Sequence, residues 1–212
     1  MTGRRNPSEL DPDFILAAYC SGYFPMAETL TGRISWYSPD PRAILPLSGF
    51  RVSRSLRQKL RKDMFDVRIN TAFREVIAAC AGRSETWISP EIIRAYTALH
   101  DMGFAHSVEA WHEGRLAGGL YGLAIAGAFF GESMFTRETD ASKVALVHLV
   151  ERLRARDFVL LDTQFVNEHV RQFGACEIPR PEYLEMLAGA LSAKTTFLET
   201  APPVPRPGRK SP

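Results

Sequence analysis

Residues 117–143, AGGLYGLAIAGAFFGESMFTRETDASK, decide the fold of this chain because their character changes once, from apolar to polar. No charged side chain occurs between Leu116 and Gly131. Polar and charged residues then follow in quick succession: Glu132, Ser133, Arg137, Asp140 and Lys143. A membrane helix needs about 20 consecutive apolar residues. The uncharged run is too short and too rich in glycine for such a helix.

The uncharged run predicts a buried β-hairpin instead. Its aromatic and β-branched residues favour strands, and Ala126-Gly127 supplies a two-residue turn. A further strand is predicted over residues 106–111, with a turn at Glu113-Gly114 leading into the hairpin. Glycines repeated inside strands leave room for another backbone or for a ligand. A tightly packed core hairpin without a ligand is the alternative.

The composition is that of a folded globular protein. The 212 residues are 45% hydrophobic and 24% charged, enough for one domain or for a large domain with a smaller companion. A net charge of +2 does not by itself indicate nucleic-acid binding, so a polyanion site requires local clustering of basic residues. Three isolated cysteines fit a reducing compartment. No apolar run follows the N-terminal arginines, so we expect no signal peptide, no membrane association and a cytoplasmic location.

The order of predicted elements indicates an α+β (mixed α/β) fold. Asp11 is expected to cap a first helix that ends at Gly22, and residues 34–47 read as an extended connector with edge strands. Asp140 or Thr139 is expected to cap a long helix over residues 141–156. The predicted organisation is a small N-terminal domain with connector over residues 1–48, a main domain over 49–200, and a proline-rich, disordered tail over 201–212.

The modest net charge is concentrated in residues 51–62, RVSRSLRQKLRK, which contain no acid. On a helix, Val52, Leu56 and Leu60 would face inward while the basic side chains point outward. A solvated helix face and a site for a phosphate backbone are both open interpretations. The basic residues that such a site would use are Arg51, Arg54, Arg57, Arg61 and Lys62.

Three polar residues stand at the ends of predicted buried strands. Asp162 and Gln164 are two residues apart, so they point to the same face of a strand, where the carboxylate can orient or polarise the amide. Together with Glu132 they can position an amine and accept its proton. The alternative is that Glu132 and Asp162 form buried ion pairs with Arg137 or Lys143.

Other catalytic signatures are missing from the sequence. It contains no GxSxG, HExxH, GxxxxGK[ST] or CxxC motif, and its five histidines stand singly. The sequence therefore gives no support for a hydrolase, a zinc protein or an enzyme that uses a nucleoside triphosphate, and we expect no metal and no cofactor.

Two aromatic segments are candidate ligand walls. Trp87 precedes a helix start at Ser89-Pro90, where an indole packs in the core or offers its face to a base. The cluster Tyr23-Phe24-Pro25-Met26 is either a small packing core or part of a ligand wall.

The sequence resembles the leucyl/phenylalanyl-tRNA–protein transferase family over roughly residues 19–187. The stretches that carry the resemblance are YCSGYFPM, WYSPDPRAILP, VSRSL, TWISPEIIRAYTALHDMGFAHSVEAW, AGGLYG, GESMFTRETDASKVAL and LLDTQFVNEHVRQFGACEIPR. The resemblance implies a small N-terminal domain joined to a domain like the GCN5-related N-acyltransferases (GNAT-like). It also implies transfer of leucine or phenylalanine, and less well methionine, from aminoacyl-tRNA to the N-terminal arginine or lysine of a protein. The product is a degradation signal, and the enzyme is expected to be a monomer without cofactors.

The resemblance also implies roles for individual residues. Asp162 and Gln164 would help the acceptor amine to attack, while Glu132 would hold the acceptor end. The remaining implied roles are a pocket for the Leu or Phe side chain at Leu120, Leu146 and Leu149, support of the tRNA 3′-terminal adenosine at Trp87 and Met26, and phosphate contacts at Arg54 and its basic neighbours.

Two positions depart from the family pattern. Met26 stands where many members have tryptophan, and Leu149 where some have phenylalanine, which affects the expected substrate preference more than the reaction type.

The competing interpretations are an acetyl-CoA-dependent N-acetyltransferase of the same fold and a non-catalytic RNA-binding module. The first should carry a glycine-rich pyrophosphate loop where this chain reads TRETDASK, and the second leaves Glu132, Asp162 and Gln164 without a purpose.

Overall fold

A computed structural model of the chain describes residues 10–28, 31–82 and 86–198. The predicted disordered tail, 201–212, lies outside these residues. Within them the helices are α1 (Pro12–Cys20), α2 (Arg54–Arg61), α3 (Phe73–Ala81), α4 (Pro90–Asp101), α5 (Ala141–Ala155), α6 (Glu168–Arg171) and α7 (Arg180–Leu191). The strands are β1 (Phe24–Ala27), β2 (Ile34–Tyr37), β3 (Arg42–Ile44), β4 (Asp66–Ile69), β5 (Ala105–His112), β6 (Arg115–Ile125), β7 (Ala128–Thr136), β8 (Leu160–Gln164) and β9 (Cys176–Ile178).

These elements confirm the mixed α/β class. One sheet contains β1 and β2 only, and a seven-stranded sheet has the order β4-β5-β6-β7-β8-β3-β9. Every neighbouring pair in the large sheet is antiparallel except β7 and β8, which are parallel and joined through α5. One face of the sheet packs against α1, α3, α4 and α7, and the other packs against α5.

The connector over residues 34–47 differs from its prediction. The expectation of edge strands holds for β2, which has a single partner strand, but it is wrong for β3, which lies between β8 and β9 inside the large sheet. Proline spacing signals extended backbone but carries no information on how many neighbours a strand acquires. The predicted domain limit at residue 48 stays a prediction.

The hairpin over residues 117–136 is confirmed. Its turn lies at Ala126-Gly127, and its strands pair from Gly118 with Thr136 to Ile125 with Ala128. At most of its glycines an added Cβ would come close to another part of the protein. A Cβ at Gly118 would lie 2.7 Å from that of Ala141 at the start of α5, and one at Gly122 would meet the Phe130 carbonyl. These glycines let α5 and the neighbouring strand approach closely.

The first helix follows its prediction, and the long helix differs at its start. Asp11 caps α1 by accepting a hydrogen bond from the Asp13 backbone N–H, 3.0 Å away. Asp140 occupies the N-cap position of α5 with φ 72° but forms no capping hydrogen bond. Its carboxylate instead binds Lys59 at 2.5 Å and Lys143 at 2.8 Å, which joins α2 to α5.

The parallel pair β7–β8 positions the site. Their ladder runs from Ala128 paired with Leu160 to Phe130 paired with Asp162 and then stops. Beyond this point β7 pairs only with β6, and Glu132 lies at the register shift between the pairs Gly122–Gly131 and Tyr121–Ser133, while β8 continues to Gln164 paired with β3. The two strands therefore part, and their side chains border an opening in the sheet. No helix within the described ranges is long and apolar enough to cross a membrane.

Candidate functional site

A cleft of about 1100 Å³ opens where β7 and β8 part. Its walls come from β6, β7 and β8, from β1 and α3, and from α5 and α6. Glu132 and Gln164 line it, whereas Asp162 does not. Glu132 stands within β7 and not at its end, which corrects its predicted place.

The structure brings together the three leucines that were predicted to line a pocket for the Leu or Phe side chain. Leu120 of β6 and Leu146 and Leu149 of α5 are all at least 97% buried, and all line the cleft. Met134 and Leu161 complete this apolar part of its wall. The three predicted leucines therefore form a surface on which an apolar side chain can lose its contact with water.

Met26 of β1 and Trp87, which precedes α4, also line the cleft. The backbone N–H of Ala27 donates to the Trp87 carbonyl at 3.1 Å, which holds the end of β1 beside the residue that precedes α4. Ser89 caps α4 as predicted, with its hydroxyl accepting from the Ile92 N–H. Both side chains are half-buried and pack against the core.

Glu132 is held by neutral hydrogen-bond donors. The Tyr19 hydroxyl donates to its Oε1 at 2.7 Å, the Tyr96 hydroxyl to its Oε2 at 3.3 Å, and the Gln164 side-chain amide to Oε1 at 3.4 Å. Burial raises the pKa of Glu132 to about 8, and the negative charge of Asp162 adds to this, although the hydrogen bonds from Tyr19 and Tyr96 act in the opposite direction. A carboxyl group with such a pKa can exchange a proton near neutral pH.

Asp162 has different surroundings. Its Oδ1 accepts from Arg42 Nε at 3.0 Å and from the Gln164 backbone N–H at 2.8 Å. Its Oδ2 accepts from Arg42 Nη2 at 2.6 Å and from the Tyr183 hydroxyl at 2.8 Å. Both members of the ion pair are buried, with 1% of Arg42 and none of Asp162 exposed.

Two expectations about Asp162 are therefore corrected. Its ion-pair partner is Arg42, not Arg137 or Lys143, and it orients Gln164 through the backbone N–H and not through the side-chain amide. Arg137 instead lies over the Phe135 ring and donates to the Leu116 carbonyl. An arginine 120 positions away leaves no local signal in the sequence.

Gln164 ends β8 in an unusual conformation. Its φ of 57° lies in the left-handed region, and the Phe165 N–H donates to the Thr163 carbonyl at 2.6 Å, which closes a tight turn around it. For a residue other than glycine such a conformation costs on the order of 1–3 kcal/mol and requires surrounding structure to maintain it. The turn is thus a feature that the spacing of Asp162 and Gln164 did not reveal.

The basic segment is only partly helical. The helix begins at Arg54 with Ser53 as its cap, so Arg51 and Val52 precede it. Of the predicted apolar face, Leu56 is buried, and Val52 and Leu60 are half-buried. All five predicted phosphate-binding residues, Arg51, Arg54, Arg57, Arg61 and Lys62, are exposed. In the part of the chain that the structure describes, none of the five forms a salt bridge, although Arg57 donates to the Val52 carbonyl.

Some residues of the site were missed by sequence reasoning. Tyr19, Arg42, Tyr96 and Tyr183 supply the partners of the two carboxylates from four separate elements. Tyr19, Arg42 and Tyr96 lie in the stretches YCSGYFPM, WYSPDPRAILP and TWISPEIIRAYTALHDMGFAHSVEAW, which carried the resemblance. That placement is the one sequence signal that pointed toward them, and it assigned them no role.

The fold and the cleft define a class: a mixed α/β protein with an apolar pocket for a side chain beside a carboxylate and an amide that can bind an amine. Comparison with known proteins names the family. The family model described as leucyl/phenylalanyl-tRNA protein transferase matches residues 44–188, and the model of its N-terminal domain matches residues 8–40. The chain belongs to the leucyl/phenylalanyl-tRNA protein transferase family, which confirms the family that the motifs predicted.

Individual relatives agree. The chain is 55% identical over 185 residues to the leucyl/phenylalanyl-tRNA–protein transferase of Salinibacter ruber, covering 87% of this chain and 82% of the relative. It is 55% identical over 188 residues to the protein of the same name from Gloeobacter violaceus, covering 89% and 97%. Among solved structures, a ribosomal-protein-alanine N-acetyltransferase from Brucella melitensis matches with a TM-score of 0.38 at 18% identity, over 51% of this chain and 86% of that one.

Proposed function

We propose that this chain transfers leucine or phenylalanine, and less well methionine, from aminoacyl-tRNA to the N-terminal arginine or lysine of acceptor proteins, creating a degradation signal. One observation carries the proposal beyond family membership: the cleft joins an apolar pocket to Glu132 and Gln164 at the point where the sheet parts. In this arrangement the aminoacyl side chain occupies the leucine-lined pocket, and the acceptor amine lies at the carboxylate and amide.

The chemistry requires little beyond positioning and proton transfer. The acceptor nitrogen attacks the ester carbonyl carbon, a C–N bond forms, and the bond from that carbon to the ribose oxygen breaks. The ester is already activated, so no nucleotide triphosphate takes part. The amine loses a proton, which Glu132 accepts, and the departing ribose oxygen gains one. An α-amine with an ordinary pKa of about 7.7–8.0 and a carboxyl group with a pKa of about 8 are well matched for this exchange.

The pocket favours unbranched and γ-branched side chains. Leu120, Leu146 and Leu149 line it, and discrimination against a misfitting methyl group is worth about 1–3 kcal/mol. Leucine at position 149 and methionine at position 26 leave the relative preference for Leu, Phe and Met to experiment.

The direct test offers labelled Leu-, Phe- and Met-tRNA with peptides beginning with arginine, lysine or alanine. We expect label to be transferred to the arginine and lysine peptides and not to the alanine peptide. Labelled acetyl-CoA with the same peptides is the matched arm for the acetyltransferase alternative. Acetyl transfer without aminoacyl transfer would refute the proposal, and tRNA binding without either transfer would favour the RNA-binding module.

A second experiment tests the tRNA contacts of the basic segment. The double variant Arg54→Ala/Arg57→Ala is expected to weaken tRNA binding and to reduce the slope of log affinity against log salt by about 1–2. Arg74→Ala is the matched control, because Arg74 is an exposed arginine on α3 that pairs with Asp101. An unchanged salt slope in the double variant would show that the basic segment does not contact the tRNA.

Cytoplasmic location and a monomeric state also stay predictions, and sedimentation of the purified chain tests the monomeric state.

A further inference from the structure

Arg42 is a buried cation to which the proposed reaction assigns no role. Besides its two hydrogen bonds to Asp162, its Nη1 donates to the Gly22 carbonyl at 3.0 Å. Its guanidinium lies 4.7 Å from the centre of the Phe24 ring and 4.5 Å from that of the Tyr183 ring. Arg42 therefore joins β3 to the segment between α1 and β1, to β8 and to α7.

The Asp162 carboxylate has no capacity left for a substrate. Its two oxygens accept four hydrogen bonds from protein donors, which equals the number of lone-pair sites of a carboxylate. It is fully buried and does not line the cleft. Among these four hydrogen bonds, the one from the Gln164 backbone N–H connects Asp162 to a residue that lines the cleft.

We infer that Arg42 and Tyr183 are positioning residues for the proposed transfer: through Asp162 they hold Gln164 in the left-handed turn that directs its side chain to Glu132. This inference rests on the proposed function. Arg42 and Tyr183 fix the Asp162 carboxylate from two sides, and the carboxylate fixes the N–H of the residue whose φ is 57°. The side chain of that residue then reaches Glu132 Oε1 at 3.4 Å.

The turn requires such support because extended backbone is the lower-energy alternative for glutamine. If the N–H of Gln164 loses its acceptor, the end of β8 is expected to relax toward an extended conformation, which moves the side-chain amide away from Glu132. Misplacing a reacting group by about 1 Å can cost on the order of 100-fold in rate. Binding of the tRNA, which uses other parts of the surface in the proposal, is expected to be unaffected.

Two double variants separate positioning from proton transfer. A single substitution at Arg42 or Asp162 leaves a buried charge unpaired, whereas replacing both members by uncharged residues is compatible with folding. Arg42→Met/Asp162→Leu removes the ion pair and the acceptor of the Gln164 N–H. Arg42→Met/Asp162→Asn removes the ion pair but keeps an oxygen that can accept from that N–H.

We expect the leucine double variant to lower kcat by about 100-fold with KM for Leu-tRNA within about 2-fold of wild type. The asparagine double variant is expected to recover kcat to within about 10-fold of wild type, because its remaining oxygen still fixes the turn. Tyr183→Phe, which loses one hydroxyl and keeps the ring beneath Arg42, should lower kcat by about 3–10-fold. Thermal unfolding and tRNA affinity of each variant are measured alongside, together with hydrogen exchange at the Gln164 amide, which should accelerate only in the leucine variant.

The outcomes are distinct. Wild-type kcat in a folded leucine double variant would overturn the positioning role and leave the proposed function intact. An asparagine double variant as slow as the leucine variant would show that the Asp162 carboxylate itself is needed, which also overturns the inference. A wild-type protein that transfers nothing would refute the proposed function, and the inference with it.

Discussion

Glu132 and Asp162 lie on neighbouring strands of one sheet, yet their surroundings are opposite. Asp162 is paired with a cation and does not reach the cleft. Glu132 lines the cleft, and its hydrogen-bond partners are two hydroxyls and an amide, none of which carries a charge. Burial is common to both, so the charge of the partner distinguishes their surroundings: Asp162 faces a cation, whereas Glu132 faces neutral donors and burial raises its pKa to about 8.

The largest expected difference between the two carboxylates concerns stability. Asp162→Asn should lower the free energy of unfolding by about 3–5 kcal/mol at pH 7, because it leaves the Arg42 charge buried without a counter-charge. Glu132→Gln, the matched isosteric change, should alter it by less than about 1 kcal/mol. Urea denaturation of both variants measures the difference. Equal losses would show that the charge of Arg42 does not distinguish the two sites.

A second difference concerns the rate of transfer. Glu132→Gln should slow transfer by about 100-fold at pH 8, because the proton acceptor is lost while the shape of the cleft is kept. Below about pH 7.5 the logarithm of the wild-type kcat/KM should rise with a slope approaching 2, since both Glu132 and the acceptor amine must lose protons. The variant retains only the amine, so its slope should approach 1. Single-turnover rates between pH 6 and 8.5 provide the profiles, and identical slopes would exclude Glu132 as the acceptor.

The pH dependence of stability offers a smaller and independent effect. The pKa of Glu132 is raised in the folded chain, so between about pH 4.5 and pH 8 the unfolded chain releases a proton that the folded chain keeps. Unfolding is therefore favoured progressively as the pH rises through this window. Between pH 6 and pH 7 the wild-type protein should lose about 1–2 kcal/mol relative to Glu132→Gln. A constant difference between the two proteins would mean that Glu132 titrates normally.

The smallest effect is expected at the tyrosines that bind Glu132. Their hydrogen bonds favour the ionised carboxylate, so Tyr19→Phe should move the ascending acid limb of the rate profile to higher pH by about half a pH unit. Tyr96→Phe should move it less, because its oxygen lies 3.3 Å from Glu132 and that of Tyr19 lies 2.7 Å away. A downward shift in either variant would show that these hydroxyls stabilise the protonated carboxyl.

Much of the fold could be predicted because its signals are local. The turn at Ala126-Gly127, the Asp11 cap of α1 and the Ser89 cap of α4 each depend on a few adjacent residues. The predictions that failed concern contacts between residues that lie far apart in the sequence. Three extended residues, Arg42 to Ile44, became an internal strand because β8 and β9 flank them, and no local pattern specifies how many partners a strand will have.

The candidate site divides in the same way. The pocket leucines and the pair Glu132–Gln164 were predicted through motifs and do meet in one cleft. The hydrogen-bond partners of Asp162 could not be predicted from any motif, because Arg42 and Tyr183 lie 120 and 21 positions away in the sequence. The hairpin glycines were expected to leave space for either a backbone or a ligand, and only packing showed that Gly118 and Gly122 serve the backbone.

The sequence by itself determined the mixed α/β class of fold, the hairpin at its centre and the family, since periodicity, turn residues and motifs are all contained in short stretches. Only the tertiary structure decided which of two carboxylates is neutralised by a cation and which lines the cleft. The physical reason is that the pKa of a buried acid depends on the charges placed around it, and here those neighbours come from helices and strands widely separated in the chain.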